Sequence, residues 1–248
     1  MDADVLIIGS GAGGGTLARA LAPTGLSIMI LERGGYLPRE WGNWDAHTVL
    51  AEHRYHTRET WHDGHNRPFS PVTGYQVGGN TKFYGAAVLR RREGDFVPRR
   101  HRDGETPAWP IGYADLARHY DQAERWYFAH GQAGADPTEP PRGPFPFPPL
   151  PHEDAVGRVD QALRGLDLHP FPLPLAIDRR DDDPAHSPCV CCPTCDGFPC
   201  LLHAKGDAEV CGITPALTHP NVRLLSGYRV LRLLASDDGR QVAGVETE

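Results

Sequence analysis

The sequence predicts an α/β fold that begins with a parallel β-α-β unit near the N-terminus. A continuous apolar strand, Val5 to Ile8, runs directly into the glycine turn Gly9-x-Gly11-x-x-Gly14. A short helix rich in alanine and leucine follows, and a second apolar strand ends in the acidic residue Glu32. Strand, glycine turn, helix, strand and acid in this order are typical of a Rossmann-like dinucleotide-binding unit rather than of a glycine-rich structural turn.

The glycines of this turn make room for a ligand and for close packing. Gly9, Gly11 and Gly14 permit a tight turn, a close approach of backbone to a pyrophosphate, and close packing of the helix on the strand. Unpaired N–H groups at the helix N-terminus then hold the anion without a lysine or arginine. Glu32 is placed to accept hydrogen bonds from both hydroxyls of an adenosine ribose, and its charge disfavours the 2′-phosphate of NADP.

Composition excludes several function classes. The 248 residues suffice for one large domain or two small ones. The formal net charge of −7, with Lys82 and Lys205 the only lysines, excludes a nucleic-acid binder driven by phosphate contacts. No run of about 18 apolar residues predicts a membrane segment, and a first strand at Val5 leaves no room for a signal peptide. We therefore expect a soluble, cytoplasmic chain whose cysteines are reduced or metal-bound.

The middle of the chain alternates between loops and helical patterns. An aromatic and histidine-rich stretch after residue 40 predicts a functional cover, and its pairs His53-x-x-His56 and His62-x-x-His65 lack the helical period that would aim them at a metal. A second glycine turn at Gly78-Gly79 predicts backbone packed against a flat ligand. The remaining expectations are a helix over Tyr113 to His130, a proline-dense connector over Asp136 to Pro151, a helix over Glu153 to Leu166 and an extended edge over Phe171 to Ile177.

Three strand-like runs end the sequence. They cover Val222 to Leu225, Tyr228 to Leu234 and Gln241 to Glu248, and the turn Asp237-Asp238-Gly239-Arg240 joins the last two as a hairpin. No closing helix follows the third run. We therefore expect a truncated chain.

Five sets of residues, spread in order over nearly the whole chain, carry a family resemblance. They are Gly9-Ser10-Gly11-Ala12-Gly13-Gly14; Leu31-Glu32-Arg33-Gly34-Gly35; Val77-Gly78-Gly79-Asn80-Thr81-Lys82-Phe83-Tyr84-Gly85-Ala86-Ala87; Trp109-Pro110-Ile111 with Tyr113 and Leu116; and His219-Pro220-Asn221-Val222 leading to Val230. With these residues the chain resembles the N-terminal half of the glucose–methanol–choline (GMC) family of flavin oxidoreductases. It departs from many members at Tyr84, where they place an asparagine.

The resemblance implies a Rossmann-like FAD-binding fold with a β-meander and part of a substrate or cap region. The FAD-binding domain would be discontinuous, formed by residues 1–40, 70–100 and 205–248. Residues 41–69 and 101–204 would be insertions that cover cofactor or substrate and contain the proline-rich connector and a cysteine-rich loop.

The resemblance also implies the cofactor, FAD, and its contacts. The glycines Gly9, Gly11 and Gly14 would hold the pyrophosphate, and Glu32 would hold the ribose. Gly79 and Thr81 would lie along the flavin side, and the backbone of Val230 would meet the adenine.

Members of the family oxidise a CH–OH group of an alcohol or sugar by hydride transfer to the flavin. The catalytic histidine belongs to the C-terminal half of the family, so we assign no catalytic residue here and expect the chain alone to be inactive. Two alternatives stay open. The chain could be one subunit of a split enzyme, or a flavin and iron–sulfur electron-transfer subunit that serves an external acceptor.

The cysteines pose a separate chemical question. All six lie between Cys189 and Cys211, and the run Cys189-x2-Cys192-x2-Cys195-x4-Cys200 comes within one residue of a bacterial ferredoxin spacing. Zinc would accept the same four thiolates. Reduced cysteines packed in a tight loop, or a labile disulfide, would explain the run without metal. Some dehydrogenases of the resembled family carry an iron–sulfur cluster in a comparable region.

Overall fold

The computed structural model describes residues 2–248, and the chain divides into two compact units. The discontinuous unit comprises the residues up to Gly85 together with Arg179–Glu248, and the central unit comprises Ala86–Asp178. The helices and strands, in chain order, are β1 (Val5–Ile8), α1 (Ala12–Leu21), β2 (Ile28–Glu32), β3 (Trp61–His62), β4 (Pro68–Phe69), β5 (Arg99–His101), β6 (Gly104–Thr106), α2 (Tyr113–Trp126), β7 (Ala129–His130), α3 (Asp154–Arg164), β8 (Leu175–Ala176), α4 (Thr214–Ala216), β9 (Val222–Ser226), β10 (Val230–Ala235) and β11 (Val242–Thr247).

A three-stranded parallel sheet forms the centre of the discontinuous unit. Its strand order is β1-β2-β9, so the middle strand comes from the predicted β-α-β unit and one edge strand comes from near the C-terminus. Every residue of β2 is buried, which explains why this strand is a continuous apolar run closed by a single acid. The sequence predicted both β1 and β2, and the structure confirms them.

The three C-terminal strands have two different partners. β9 pairs in parallel with β2, with Ile30 opposite Leu224, whereas β10 and β11 form the antiparallel hairpin that the sequence predicts. Among residues 2–248, this hairpin is the part of the expected β-meander that the structure contains. The role of β9 as the third strand of the parallel sheet has no signal in the sequence.

Helix α1 covers the sheet and meets a second helical segment almost backbone to backbone. Ala18 of α1 is buried against the core residues Ile7, Ile30 and Val77. A Cβ atom at Gly212, in the π-helical turn before α4, would lie 2.6 Å from the backbone carbon of Gly15. These small residues allow α1 and the C-terminal helical segment to share one apolar core.

The central unit contains α2, α3, the short hairpin β5–β6 and the antiparallel pair β7–β8. Helix α2 ends at Trp126 instead of His130, because Phe128 takes a φ of +55° and the next two residues pair with β8. Of the extended edge predicted up to Ile177, only β8 forms a strand. The proline-dense connector contains neither helix nor strand, as the sequence predicts.

The boundaries of the compact units differ from the predicted domain boundaries. Residues 41–69, which the sequence suggests as an insertion, lie within the discontinuous unit, as does the cysteine-rich loop. The central unit begins and ends well inside the predicted segments 70–100 and 101–204. Within residues 2–248, no helix has the length and apolar character needed to cross a membrane.

Candidate cofactor site

The first glycine turn has the backbone geometry that its sequence predicts. Gly9 takes a φ of +88°, and its N–H donates to the carbonyl of Leu31 at 2.8 Å. A Cβ atom at Gly14 would lie 2.0 Å from the carbonyl oxygen of Gly9, so only glycine lets α1 start this close to the turn. By contrast, a Cβ atom at Gly11 or Gly13 would meet no atom within 4 Å. The N-terminus of α1 therefore has open space beside its unpaired N–H groups.

The second glycine turn lies directly against the first. Gly78 and Gly79 take φ values of +91° and +57°, which only glycine adopts without strain. A Cβ atom at Gly79 would lie 3.1 Å from the Cα of Gly11. Two turns that are almost 70 residues apart in the sequence thus form one continuous backbone surface.

Ser10 joins the two turns to Glu32. Its buried hydroxyl donates to Glu32 Oε2 at 2.6 Å and accepts the N–H of Gly78 at 3.1 Å. The backbone N–H of Ser10 donates to the same carboxylate oxygen at 2.9 Å, and the N–H of Gly34 donates to Oε1 at 2.9 Å. These bonds fix the carboxylate at the end of β2. Sequence reasoning missed Ser10, because the glycine motif leaves its second position unspecified.

A cavity of about 350 Å³ opens at the carboxyl ends of β1 and β2. Four of the predicted site residues line it: Gly9, Glu32, Gly79 and Val230. The cavity lies where the carboxyl ends of parallel strands meet, which is the usual ligand site of an open α/β sheet.

The other predicted residues lie around the cavity without lining it. Gly11 borders Gly79, and Gly14 packs against the carbonyl of Gly9. The hydroxyl of Thr81 donates to the carbonyl of Gly78 at 2.5 Å and accepts the N–H of Ala208 at 2.9 Å. In this structure Thr81 therefore holds the second turn in place.

The cavity wall also contains two residues to which the sequence analysis assigned no role. Arg33 and Tyr75 line it beside Glu32, and both bind the carboxylate of Glu59. The hydrogen bonds from Tyr75 and then Arg33 lower the pKa of Glu59 to about 2. Glu59 is therefore ionised at neutral pH and fixes both neighbours.

Two buried lysines lie behind the second turn. Lys82 Nζ is 3.0 Å from Asp207 and 2.5 Å from Glu209, and the Nζ of Lys205 donates to the carbonyls of Cys195, Phe198 and Lys82. Burial lowers the pKa of Lys205.

Tyr84 also belongs to this region. Its hydroxyl donates to the carbonyl of Gly206 at 2.5 Å. The position that departs from many family members therefore has a structural hydrogen bond within the discontinuous unit.

The cysteine run does not form a metal centre in the described part of the chain. No group of three or more His, Cys, Asp or Glu side chains among residues 2–248 is arranged to hold a metal ion. Cys191 is exposed and its sulfur accepts a hydrogen bond from Arg179 at 2.8 Å. Burial raises the pKa of Cys195, and it raises the pKa of Cys189 to about 11. The arrangement of the described side chains therefore gives the metal hypothesis for Cys189, Cys192, Cys195 and Cys200 no support.

Known proteins resemble the chain in sequence and in fold. No family model matches it. Paromamine 6′-oxidase of Streptomyces fradiae is 36% identical over 238 residues, which are 93% of this chain and 41% of the relative. A GMC-type oxidoreductase of Sinorhizobium fredii is 28% identical over 134 residues, 50% of this chain and 24% of the relative. The chain thus spans less than half the length of these relatives.

A solved structure supports the fold. The FAD-dependent oxidoreductase from Chaetomium thermophilum superposes with a TM-score of 0.60 at 16% sequence identity, covering 100% of this chain and 42% of that one. At this identity the likeness concerns the fold alone.

Proposed function

We propose that this chain, which belongs to the GMC family of flavin oxidoreductases, is the FAD-binding part of an enzyme that oxidises a CH–OH group of an alcohol or sugar. The observation that carries the proposal is the convergence of two glycine turns and Glu32 on one cavity. Each element supplies a different contact for the dinucleotide.

The residues present fit FAD. The open space at Gly11 and the unpaired N–H groups of α1 suit a pyrophosphate. Glu32 keeps a fixed carboxylate on the cavity wall, which suits the ribose hydroxyls. The backbone of Val230, on the same wall, would meet the adenine, and Gly79 would lie along the flavin side, with Thr81 holding its turn. When bound, the flavin would accept a hydride from the substrate.

We assign no catalytic residue to this chain. Its own residues bind and orient the cofactor, and the acid–base group that takes the hydroxyl proton would belong to the rest of the enzyme. The substrate would be a small-molecule alcohol or sugar, because the paromamine oxidase that resembles the chain is named for such a molecule.

Titration of the purified chain with FAD tests the proposal. We expect quenching of flavin fluorescence that saturates at one FAD per chain, with no oxidation of alcohols or sugars by the chain alone. Gly11→Val should abolish binding while the protein stays folded, because a Cβ atom there meets no atom within 4 Å and the side chain would occupy the space left for the pyrophosphate.

The control is Gly157→Val, at a glycine within α3 where a Cβ atom would likewise meet no atom within 4 Å. It should bind FAD like the unchanged chain. A folded chain that binds no FAD would overturn the proposal. Stoichiometric iron in the same sample would instead favour an electron-transfer subunit that serves an external acceptor.

A further inference from the structure

Arg33 has an unusually defined position on the cavity wall. Its guanidinium carbon lies 3.6 Å from the centre of the Tyr75 ring, a stacking distance. Its Nη2 donates to Glu59 Oε1 at 2.5 Å. A planar cation held at one edge and on one face has little rotational freedom left.

Glu59 binds both members of the stacked pair formed by Arg33 and Tyr75. Its second oxygen accepts the hydroxyl of Tyr75 at 2.5 Å and the indole N–H of Trp61 at 3.4 Å. The carboxylate thus connects the cation and the ring that it stacks on. Glu59 lies in the segment 41–69, so this segment contributes to the cavity wall through Arg33.

The backbone on both sides of the stack is equally constrained. A Cβ atom at Gly34 would lie 1.9 Å from the carbonyl oxygen of Tyr75, and the N–H of Val77 donates to the carbonyl of Gly35 at 2.9 Å. The residues after β2 therefore run tightly along the strand-like segment that carries Tyr75. This pairing fixes the backbone beside Arg33, and the side chain of Arg33 is held by Glu59 and the Tyr75 ring.

We propose that Arg33 is the stacking platform for the adenine ring, with one guanidinium face on Tyr75 and the other facing the base. The inference rests on the proposed function. Arg33, Glu32 and Val230 line the same cavity, so a base beside Val230 with its ribose at Glu32 lies within reach of Arg33. The side chain of Arg33 remains 31% exposed, which leaves a face free for a ligand.

The charge distribution favours stacking over phosphate binding. Glu59 already compensates the positive charge of Arg33, and Glu32 would repel a phosphate placed on the ribose. Guanidinium planes stack well on aromatic rings and on nucleobases, and this interaction needs a planar cation rather than a point charge.

Binding of FAD and ADP to variants of the full chain tests the inference. FAD affinity is measured by flavin fluorescence, and ADP affinity by displacement of FAD. We expect Arg33→Met and Arg33→Lys each to weaken both ligands about 5- to 30-fold, because neither side chain is planar. Tyr75→Phe keeps the ring and should change both affinities less than about threefold.

The outcomes separate this inference from the proposed function. If Arg33→Lys binds both ligands as tightly as the unchanged chain, Arg33 acts as a point charge and the inference is wrong. Unchanged binding in folded Arg33→Met would also overturn it, while the proposed function would stand. If the unchanged chain binds neither FAD nor ADP, the proposed function fails and the inference fails with it.

Discussion

The two glycine turns and the cysteine loop are both motifs with a defined spacing in the sequence, but the turns meet at one cavity, whereas the loop forms no group that could hold a metal within residues 2–248. In the turns, Gly9, Gly11 and Gly79 place backbone atoms on one surface beside Glu32. In the loop, the four cysteines of the run belong to no group of side chains that could hold a metal within residues 2–248.

The two features differ in whether a few consecutive residues are enough to form them. A glycine turn is encoded by φ values and by the space that a missing Cβ leaves, and both belong to a few consecutive residues. A metal site requires several side chains to converge and to be ionised, which depends on the surrounding fold. In the loop, no such convergence of three or more ligand side chains occurs within residues 2–248.

The largest expected effect on stability comes from substituting two neighbouring glycines of the first turn. Gly14→Ala should destabilise the protein by about 2–3 kcal/mol, because its Cβ would overlap the carbonyl of Gly9. Gly13→Ala, with open surroundings in the same helix, should stabilise it by about 0.5–1 kcal/mol. Urea unfolding of both variants measures the contrast. Equal stabilities would show that the motif glycine is not needed for packing.

The next test concerns the carboxylate that the turns hold. Glu32→Ala should weaken FAD binding by about 1.5–3 kcal/mol, through loss of charge-assisted hydrogen bonds to the ribose. It also leaves the N–H groups of Ser10 and Gly34 without their acceptors. Ser10→Ala keeps the carboxylate and should weaken binding by only about 1 kcal/mol. Calorimetric titration with FAD compares the two, and an unchanged affinity in Glu32→Ala would place the ribose elsewhere.

A third test sharpens the contrast within the cysteine loop. Limiting iodoacetamide at pH 8 should label exposed Cys191 at least about tenfold faster than Cys189, because a thiol with a pKa of about 11 is almost wholly protonated there. Peptide mass spectrometry reads out the two rates. Labelling in urea provides the control, since both residues should then react alike. Equal rates in the folded chain would contradict the burial of Cys189.

The smallest expected effect is the pH dependence of the contribution that Glu59 makes to the free energy of unfolding. Its pKa falls from an ordinary value of 4.5 to about 2 in the folded chain, so it binds a proton less readily there than in the unfolded chain. Its stabilising contribution is complete above pH 4.5 and is lost as the pH falls towards 2. The difference in the free energy of unfolding between the unchanged chain and Glu59→Gln should therefore shrink over this range. A constant difference would show that the charge of Glu59 is not involved.

Much of the fold could be predicted where the signal is local. The strand before Gly9, the strand ending in Glu32 and the hairpin after Tyr228 all formed as the sequence predicts. The helix expected up to His130 was too long, because pairing of Ala129 with Ala176 overrides its helical period.

The parts of the site that escaped prediction depend on contacts between distant residues. Glu59 reaches Arg33 from 26 residues away, and Ser10 reaches Gly78 from 68 residues away. Neither pair has a spacing or a composition that distinguishes it from other Glu, Arg or Ser residues in the chain. Single-sequence reasoning can therefore locate the turns but cannot identify the side chains that connect them.

The position of β9 in the parallel sheet sets the order in which the protein can fold. β2 is complete at residue 32, but its second neighbour begins only at residue 222. At ordinary rates of translation, roughly 5–20 residues per second, the ribosome needs on the order of 10–40 s to deliver that strand. During this interval one edge of β2 has no native partner, and pairing across so long a loop is intrinsically slow. Newly made chains should therefore complete the parallel sheet only after β9 emerges.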